Sequence, residues 1–270
     1  MKRFLVPVDF SDTSINAANY AIALAKTIEN SHVTLYYVYN KISLATLKSK
    51  DEGSRQKISE AELEAITNRV SEGYENVNCV AEEGSFVEMI SDFTLGNKID
   101  MVIMGITGSS RLSQVFMGTN TLNVIRHISC SVMVIPPQAV FSGLKKVVFT
   151  SDFKDVSRTT PFVALKKILD MFHPHIDILN VDSEHYVELT EDFKIEKEAM
   201  EDKLGEYNPD FSFLRAYDFL DGINSFVEER KIDAIISVPR KHSFLSQLFK
   251  TSNTKKLAYH STVPLITIPY

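Results

Sequence analysis

Residues 98–136 read KIDMVIMGITGSSRLSQVFMGTNTLNVIRHISCSVMVIP, and residues 231–269 read KIDAIISVPRKHSFLSQLFKTSNTKKLAYHSTVPLITIP. The two stretches align without a gap and share the opening KID, an internal LSQ and the closing proline. The beginnings of the halves match as well, because residues 2–38 align with residues 145–181 and both contain the pair Asp-Phe. Self-similarity of this kind indicates two copies of one structural unit.

The boundary between the copies is predicted near residues 138–143, after a pair of prolines. We therefore expect one domain at residues 1–140 and a second at residues 144–270, both of ordinary domain size. The second copy is shorter than the first by about ten residues in its middle section. With 44% hydrophobic and 24% charged residues, the chain has the composition of a soluble globular protein.

Each copy alternates short apolar segments with segments of helical periodicity. In the first copy, strands are predicted at residues 4–8, 32–39, 77–81, 100–104 and 132–135, and helices at residues 14–28, 58–70, 86–95 and 119–127. Strands that alternate with helices form a parallel sheet covered on both faces. Right-handed crossovers then favour a doubly wound arrangement. The predicted fold is α/β, with two tandem doubly wound parallel-sheet domains.

A glycine-rich segment follows the fourth predicted strand of the first copy. Its pattern is G-x2-G-x9-G-T, which runs from Gly105 through Gly108 to Gly118 and Thr119. Glycines let the backbone approach an anion closely and adopt positive φ. Thr119 is expected to cap a helix whose N-terminal N–H groups suit phosphate. The segment predicts a phosphate-binding loop, and an ordinary loop followed by a helix cap is the alternative.

Two further features are expected at the carboxyl ends of the strands, where open α/β sheets bind ligands. Asp9 follows the first strand and can accept hydrogen bonds from a sugar or a base. The backbone at Val38 ends the second strand and can pair with the edge of a base. The alternative for Asp9 is a helix cap, a role that Ser11 or Asp12 can also fill. Together with the glycines, these features predict a nucleotide site.

These residues resemble the universal stress protein family. The similarity rests on VPVDFS at residues 6–11, on the glycine spacing and on CSVMVI at residues 130–135. It extends over nearly all of both copies, as in the tandem, two-domain members of that family. The resemblance implies an adenine nucleotide alpha hydrolase-like fold with five parallel strands in each domain. For members that carry the glycine motif, it also implies ATP binding.

By this resemblance, ATP is the expected cofactor, with or without Mg²⁺. The expected binding residues are Pro7, Val8, Asp9, Val38, Met104, Gly105, Gly108, Ser109, Arg111, Gly118, Thr119 and Asn120. Members of the family often carry a basic residue directly after the second glycine, whereas this chain has two serines there. Arg111 follows them and is the candidate to supply that charge.

The second copy departs from the glycine motif. At the positions of the three glycines and of Thr119 it carries Val238, Lys241, Thr251 and Ser252. β-Branched residues resist positive φ, and Pro239 stiffens the start of the loop. We therefore predict one ATP site per chain, in the first half, and a structural role for the retained Asp152.

Signatures of catalysis are not found in the sequence. It contains no G-x-S-x-G elbow, no Walker lysine after the glycines, no H-E-x-x-H and no dinucleotide-binding G-x-G-x-x-G. We predict a stress-response or regulatory binding protein, not an enzyme, without catalytic or metal-ligating residues. A slow ATPase or nucleotidyl-transfer enzyme of related fold is one alternative, and an interaction module without a ligand is the other.

Partners and location follow from charge and hydropathy. The net charge of −6 disfavours nucleic-acid binding through bulk electrostatics. No apolar run approaches the ~20 residues that span a bilayer, and the N-terminus lacks the pattern of a signal peptide. We expect a cytoplasmic protein without nucleic-acid or membrane partners. The apolar strands at residues 132–135 and 264–268 are expected to pair with each other and to support a homodimer.

The remaining conspicuous residues have structural explanations. Cys79 and Cys130 are expected to be reduced core residues, not a redox pair. His127 and His260 end equivalent helices, where a histidine interacts favourably with the helix dipole. A basic group surrounds the altered loop of the second copy and consists of Arg240, Lys241, His242, Lys250, Lys255 and Lys256. It is expected to be a solvated face, with a site for an anion or an acidic partner as the alternative.

Overall fold

The computed structural model describes residues 1–39, 52–106, 118–182, 191–216, 219–239 and 261–270. The chain divides into two compact units, Met1–Phe141 and Ser142–Tyr270. Each unit is built from strands and helices that alternate along the chain.

In the first unit, every described strand pairing is parallel. The strands are β1 (Lys2–Pro7), β2 (Ser31–Tyr39), β3 (Val77–Glu83), β4 (Met101–Gly105) and β5 (Ser131–Ile135). The helices are α1 (Asp12–Ala25), α2 (Glu52–Val70), α3 (Phe86–Gly96) and α4 (Thr119–His127). The strand order is β3-β2-β1-β4-β5. This order reverses direction between β1 and β4, which makes the carboxyl ends of those strands the topological switch point.

The central strands of the first unit are buried on both faces. Phe4, Leu5 and Val6 of β1 are fully buried, and β4 is buried from Met101 to Met104. Such continuous apolar runs are expected when helices cover both faces of a parallel sheet. Helix α1 packs closely because its buried face is rich in alanine, at positions 17, 18, 21 and 25.

In the second unit, the strand order is the counterpart of the first. The strands are β6 (Lys146–Thr150), β7 (His175–Asp182), β8 (Asp210–Arg215), β9 (Ala234–Ser237) and β10 (Leu265–Thr267). The helices are α5 (Val156–Thr159), α6 (Phe162–Phe172), α7 (Glu191–Leu204) and α8 (Phe219–Arg230). The order β10-β9-β6-β7-β8 is again parallel throughout. The predicted α/β fold of two doubly wound, five-stranded units is confirmed.

The first helix of the second unit is interrupted, whereas α1 is continuous. Helix α5 ends at Thr159, and α6 begins after Pro161. Proline lacks the N–H that a helix interior needs and disfavours helical geometry in the residue before it. This part of the second copy therefore differs from its counterpart in the first, although the two copies align in sequence.

The structure describes three of the residues that were given structural explanations. Cys79 and Cys130 are free and half-buried. The Nδ1 of His127, in the last turn of α4, hydrogen-bonds the carbonyl oxygen of Asn123 at 2.7 Å. His260 and the basic group of residues 240–256 lie outside the described residues. In the described ranges, every helix is too short or too polar to cross a lipid bilayer.

Candidate functional site

The turn between β1 and α1 holds Asp9 at the surface. Phe10 has a φ of 62°, a left-handed conformation that residues with a Cβ adopt only in special turns. The Oδ1 of Asp9 accepts hydrogen bonds from Ser11 N at 3.1 Å and from Ser11 Oγ at 2.5 Å. Ser11 is the N-cap of α1, and its Oγ accepts from Ser14 N at 3.2 Å. Asp9 is therefore not the cap. It orders the turn and is exposed.

Beyond this turn, β2 extends past the end of β1. The N–H of Val8 donates to the carbonyl of Tyr36 at 2.9 Å, and β2 continues to Tyr39. Backbone groups of alternate strand residues face the same neighbour, so those of Val38 face the side of β1. Within the described ranges, no residue hydrogen-bonds to them. The backbone edge that was expected at Val38 is therefore unpaired as far as the described residues go.

The side chain of Tyr36, on β2, is held by β3, the other neighbour of that strand. Its O–H donates to the carboxylate of Glu82 on β3, and the ring is fully buried. Burial, followed by the hydrogen bond to Glu82, raises the pKa of the Tyr36 hydroxyl well above its usual range. The Tyr36 hydroxyl is therefore uncharged, and its buried ring packs near the end of β2.

Gly105 allows the end of β4 to pack against the start of α1. A Cβ built at Gly105 would lie 2.7 Å from the carbonyl oxygen of Thr13 and 2.9 Å from its carbonyl carbon. The φ of Gly105 is not positive. Close approach of two backbones, and not positive φ, is therefore what requires glycine at this position.

The start of α4 is tied to the end of β4. The N–H of Gly118 donates to the carbonyl of Ile106 at 2.8 Å. The hydroxyl of Thr121, which is buried, lies 3.2 Å from the carbonyl oxygen of Gly105 and 3.3 Å from that of Ile106. These contacts close the glycine segment at its two ends and fix the direction of α4.

The first residues of α4 are exposed in the part of the chain that the structure describes. Gly118 is the N-cap, with a φ of −65°, and it makes no side-chain cap hydrogen bond. Thr119, which was expected to be the cap, is instead the first helical residue, and it is exposed together with Asn120. Because a glycine cap has no side-chain oxygen, the first N–H groups of the helix and the positive end of its dipole face outward.

The expected binding residues fall into three groups. Asp9, Val38, Gly105, Gly118, Thr119 and Asn120 lie at the carboxyl ends of β1, β2 and β4 and at the start of α4. Pro7, Val8 and Met104 have buried side chains and offer only backbone atoms to a ligand. Gly108, Ser109 and Arg111 lie outside the described residues.

Sequence reasoning overlooked Thr13 and Thr121, and it assigned Ser11 no more than an alternative capping role. A signal for Thr121 was present, because the sequence repeats it as Thr254 at the equivalent position of the second copy. Thr13 gave no such signal, since its contact with Gly105 depends on how α1 packs on β4.

The second unit keeps the turn after its first strand. The N–H of Ser151 donates to the carbonyl of Leu179 at 3.0 Å, as Val8 does to Tyr36. Phe153 has a φ of 48°, and Asp152 Oδ1 accepts from Lys154 N at 3.3 Å. The Asp-Phe turn therefore forms without the glycine motif beside it, which agrees with a structural role for Asp152.

The space beside this turn is filled by the second unit's own side chains. Phe153 is buried, with ring centroids 4.8 Å from Phe193 and 5.8 Å from Phe213. The Asn180 side-chain amide donates to the carbonyl of Ser151 at 2.9 Å. In the first unit the equivalent Phe10 is half-buried and contacts Tyr37, with centroids 4.6 Å apart.

The position of Gly105 is also occupied in the second unit. Val238 stands there and is buried. Since even a Cβ at Gly105 would collide with the start of α1, the second unit cannot keep the same helix start. Asp155 accordingly has a φ of 49°, and the N–H of Val156, the first residue of α5, donates to Glu196 Oε2 at 2.8 Å.

Comparison with known proteins places the chain in one family. The model of the universal stress protein family matches residues 1–136. A universal stress protein of Methanocaldococcus jannaschii is 29% identical over 141 residues, which cover 50% of this chain and 81% of that protein.

Solved structures support the fold over the whole length. A universal stress protein from Archaeoglobus fulgidus has a TM-score of 0.69 at 16% identity and covers 99% of this chain and 98% of its own. A putative universal stress protein from Pseudomonas aeruginosa has a TM-score of 0.60 at 11% identity, with coverage of 100% and 93%. At these identities the likeness concerns the fold alone. Since the family model spans half of the sequence, the chain belongs to the universal stress protein family.

Proposed function

We propose that the first unit binds ATP at the carboxyl ends of β1, β2 and β4, with one site per chain. The observation that carries this proposal is the start of α4. Its first residues, Thr119 and Asn120, are exposed. Its cap is Gly118, which has no side chain, and Thr121 holds it against the end of β4. Such a helix start attracts phosphate through its N–H groups and its dipole.

The nucleoside end of the ligand is proposed to lie beside the end of β2. The backbone N–H and C=O of Val38 can pair with the edge of adenine, because β1 ends before it reaches them. The exposed carboxylate of Asp9 can accept hydrogen bonds from ribose hydroxyls, and its turn is already ordered by Ser11. A preorganised acceptor lowers the entropic cost of binding.

The second unit is proposed not to bind ATP. Val238 fills the position of Gly105, and Phe153, Phe193 and Phe213 occupy the space beside the turn. Helix α5, the counterpart of the start of α1, begins with the N–H of Val156 donating to the carboxylate of Glu196, and that negative charge disfavours a phosphate nearby. This half is proposed to serve as scaffold or as a surface for a protein partner.

In this proposal the protein acts as a regulator with little or no turnover. Bound ATP, with or without Mg²⁺, stabilises one conformation of the glycine segment, and a protein partner recognises that conformation. The population shift is limited by the difference in ATP affinity between the two states. Incubation of the purified protein with ATP and Mg²⁺ tests the absence of turnover, because several turnovers per minute would mark an enzyme.

Mass spectrometry of the denatured purified protein tests the site. The wild-type chain is expected to release an adenine nucleotide that copurified with it. Asp9→Ala should reduce that nucleotide, whereas Asp152→Ala, the equivalent change in the second unit, should leave it unchanged. Equal occupancy in wild type and Asp9→Ala would count against the proposed residues.

Two further predictions concern the protein's surroundings. A homodimer is expected from the apolar outer strands β5 and β10, and light scattering coupled to gel filtration measures the mass that tests it. Location in the cytoplasm stays a prediction, and imaging of a tagged chain in cells is its test.

A further inference from the structure

Three metal-ligating side chains meet at the amino ends of β7 and β8 in the second unit. His175 opens β7, Asp177 follows two residues later, and Asp210 opens β8. Because side chains alternate along a strand, His175 and Asp177 lie on one face. Asp210 is the register partner of Asp177 on the neighbouring strand. One ligand atom from each of the three lies within 4.8 Å of the others.

The contacts of this cluster leave a carboxylate without a cation. His175 Nε2 lies 2.9 Å from Asp210 Oδ2. Asp177 is only 4% exposed, and its Oδ1 accepts a hydrogen bond from Ser212 Oγ at 2.8 Å. Within the described part of the chain, no lysine or arginine forms an ion pair with Asp177, and its second oxygen has no hydrogen-bond partner. A buried carboxylate is costly unless a cation compensates it.

At the equivalent place, the first unit has a histidine and two neutral polar residues, and no carboxylates. His32 Nε2 hydrogen-bonds Asn78 Oδ1 at 2.9 Å, and Thr34 Oγ1 donates to the same oxygen at 2.8 Å. Thr34 and Asn78 are register partners, as Asp177 and Asp210 are. The fold therefore forms with neutral side chains at this place. The second unit keeps the histidine and adds two negative charges that the strand pairing does not require.

We propose that His175, Asp177 and Asp210 bind a divalent transition-metal ion such as Zn²⁺. One imidazole nitrogen and two carboxylate oxygens are ligands that this class of ion accepts. The two carboxylates balance the charge of the ion. His175 and Asp210 have side chains 44% and 61% exposed, so water can reach the ion and complete its coordination.

A small separation of His175 and Asp210 admits an ion between them. Tetrahedral bonds of about 2.0–2.2 Å from zinc to nitrogen and oxygen place neighbouring ligand atoms about 3.3–3.6 Å apart. The two side chains are hydrogen-bonded at 2.9 Å and exposed, so they can move apart by about 0.5 Å as the ion replaces the proton between them. Ser212 orients Asp177 by its hydrogen bond, as outer residues commonly do for ligating carboxylates. The ion would join the first residues of β7 and β8.

A competition titration on the intact chain tests this site. The purification tag is removed, and Zn²⁺ is added in the presence of a chromogenic chelator. The double variant Asp177→Thr with Asp210→Asn installs the neutral residues of the first unit, so it is expected to fold. Its tightest Zn²⁺ affinity should fall by at least about 100-fold, since loss of an outer-sphere partner alone costs 10–100-fold. Glu198→Gln removes an exposed carboxylate on α7 and should leave the affinity unchanged.

A second measurement separates a metal site from a structural ion pair. Zn²⁺ should raise the melting temperature of the wild-type chain and not that of the double variant. Circular dichroism of both proteins shows that each is folded. The proposal is overturned if wild type and double variant bind Zn²⁺ equally, or if the wild-type melting temperature does not respond to the ion.

Discussion

At the end of β4, a Cβ added to Gly105 would stand 2.7 Å from the carbonyl oxygen of Thr13. Gly105→Ala is therefore expected to lower the free energy of unfolding by about 1–3 kcal/mol, the usual range for overpacking. Urea denaturation measures the change. Gly96→Ala is the matched control, because a Cβ at that position, at the end of α3, meets no described neighbour within 4 Å outside its own helix. It should be neutral or stabilising by up to about 1 kcal/mol, and equal effects of the two changes would contradict the packing argument.

The thiol of Cys130 offers a residue-scale prediction about pH. Burial is the largest cause that raises its pKa from 9.0 to about 11, because a thiolate is poorly solvated there. At pH 8 the reactive thiolate should be about a hundredfold rarer than for an ordinary cysteine. Alkylation of a Cys79→Ser variant, which leaves Cys130 as the sole cysteine, should be slow at pH 8 and accelerate up to about pH 11. A rate at pH 8 equal to that of free cysteine would refute it.

At the scale of elements, the strands of the first unit are predictable because they are short apolar runs covered on both faces. The start of α1 was harder to predict. Helical periodicity begins at Ser14, but the helix begins at Asp12, since Ser11 caps it from within the Asp9 turn. In the second unit, Pro161 was a visible sequence signal for the break between α5 and α6. The alignment of the two copies, which suggested a continuous helix as in the first, led away from it.

The cap of α1 can be tested against a helix whose cap makes no such bond. Ser11→Ala removes the hydrogen bond from Ser14 N and the bond to Asp9, and should lower the free energy of unfolding by about 1 kcal/mol. Ser85 is the N-cap of α3 and makes no side-chain cap hydrogen bond. Ser85→Ala should therefore change stability by less than half as much in the same urea experiment. A larger effect at Ser85 would contradict the assignment of the cap.

At the scale of the whole molecule, the sequence reveals the two copies and the loss of the glycines from the second. It does not reveal which side chains pack beside the Asp-Phe turn of the second unit. Phe193 and Phe213 come from α7 and β8, and only folding brings them to Phe153. In the first unit too, contacts between distant residues could not be predicted. The positions of Asp9 and Val38 at strand ends were predictable, but the contact of Gly105 with Thr13 was not.

The central claim is a single ATP site in the first unit, and calorimetric titration of ATP into the intact chain tests it most directly. The expected stoichiometry is one ATP per chain. Gly118→Val should abolish binding, because a β-branched side chain would crowd the open start of α4. Asp152→Ala should leave both stoichiometry and affinity unchanged. Two equivalent sites per chain, or full binding by Gly118→Val, would contradict the account.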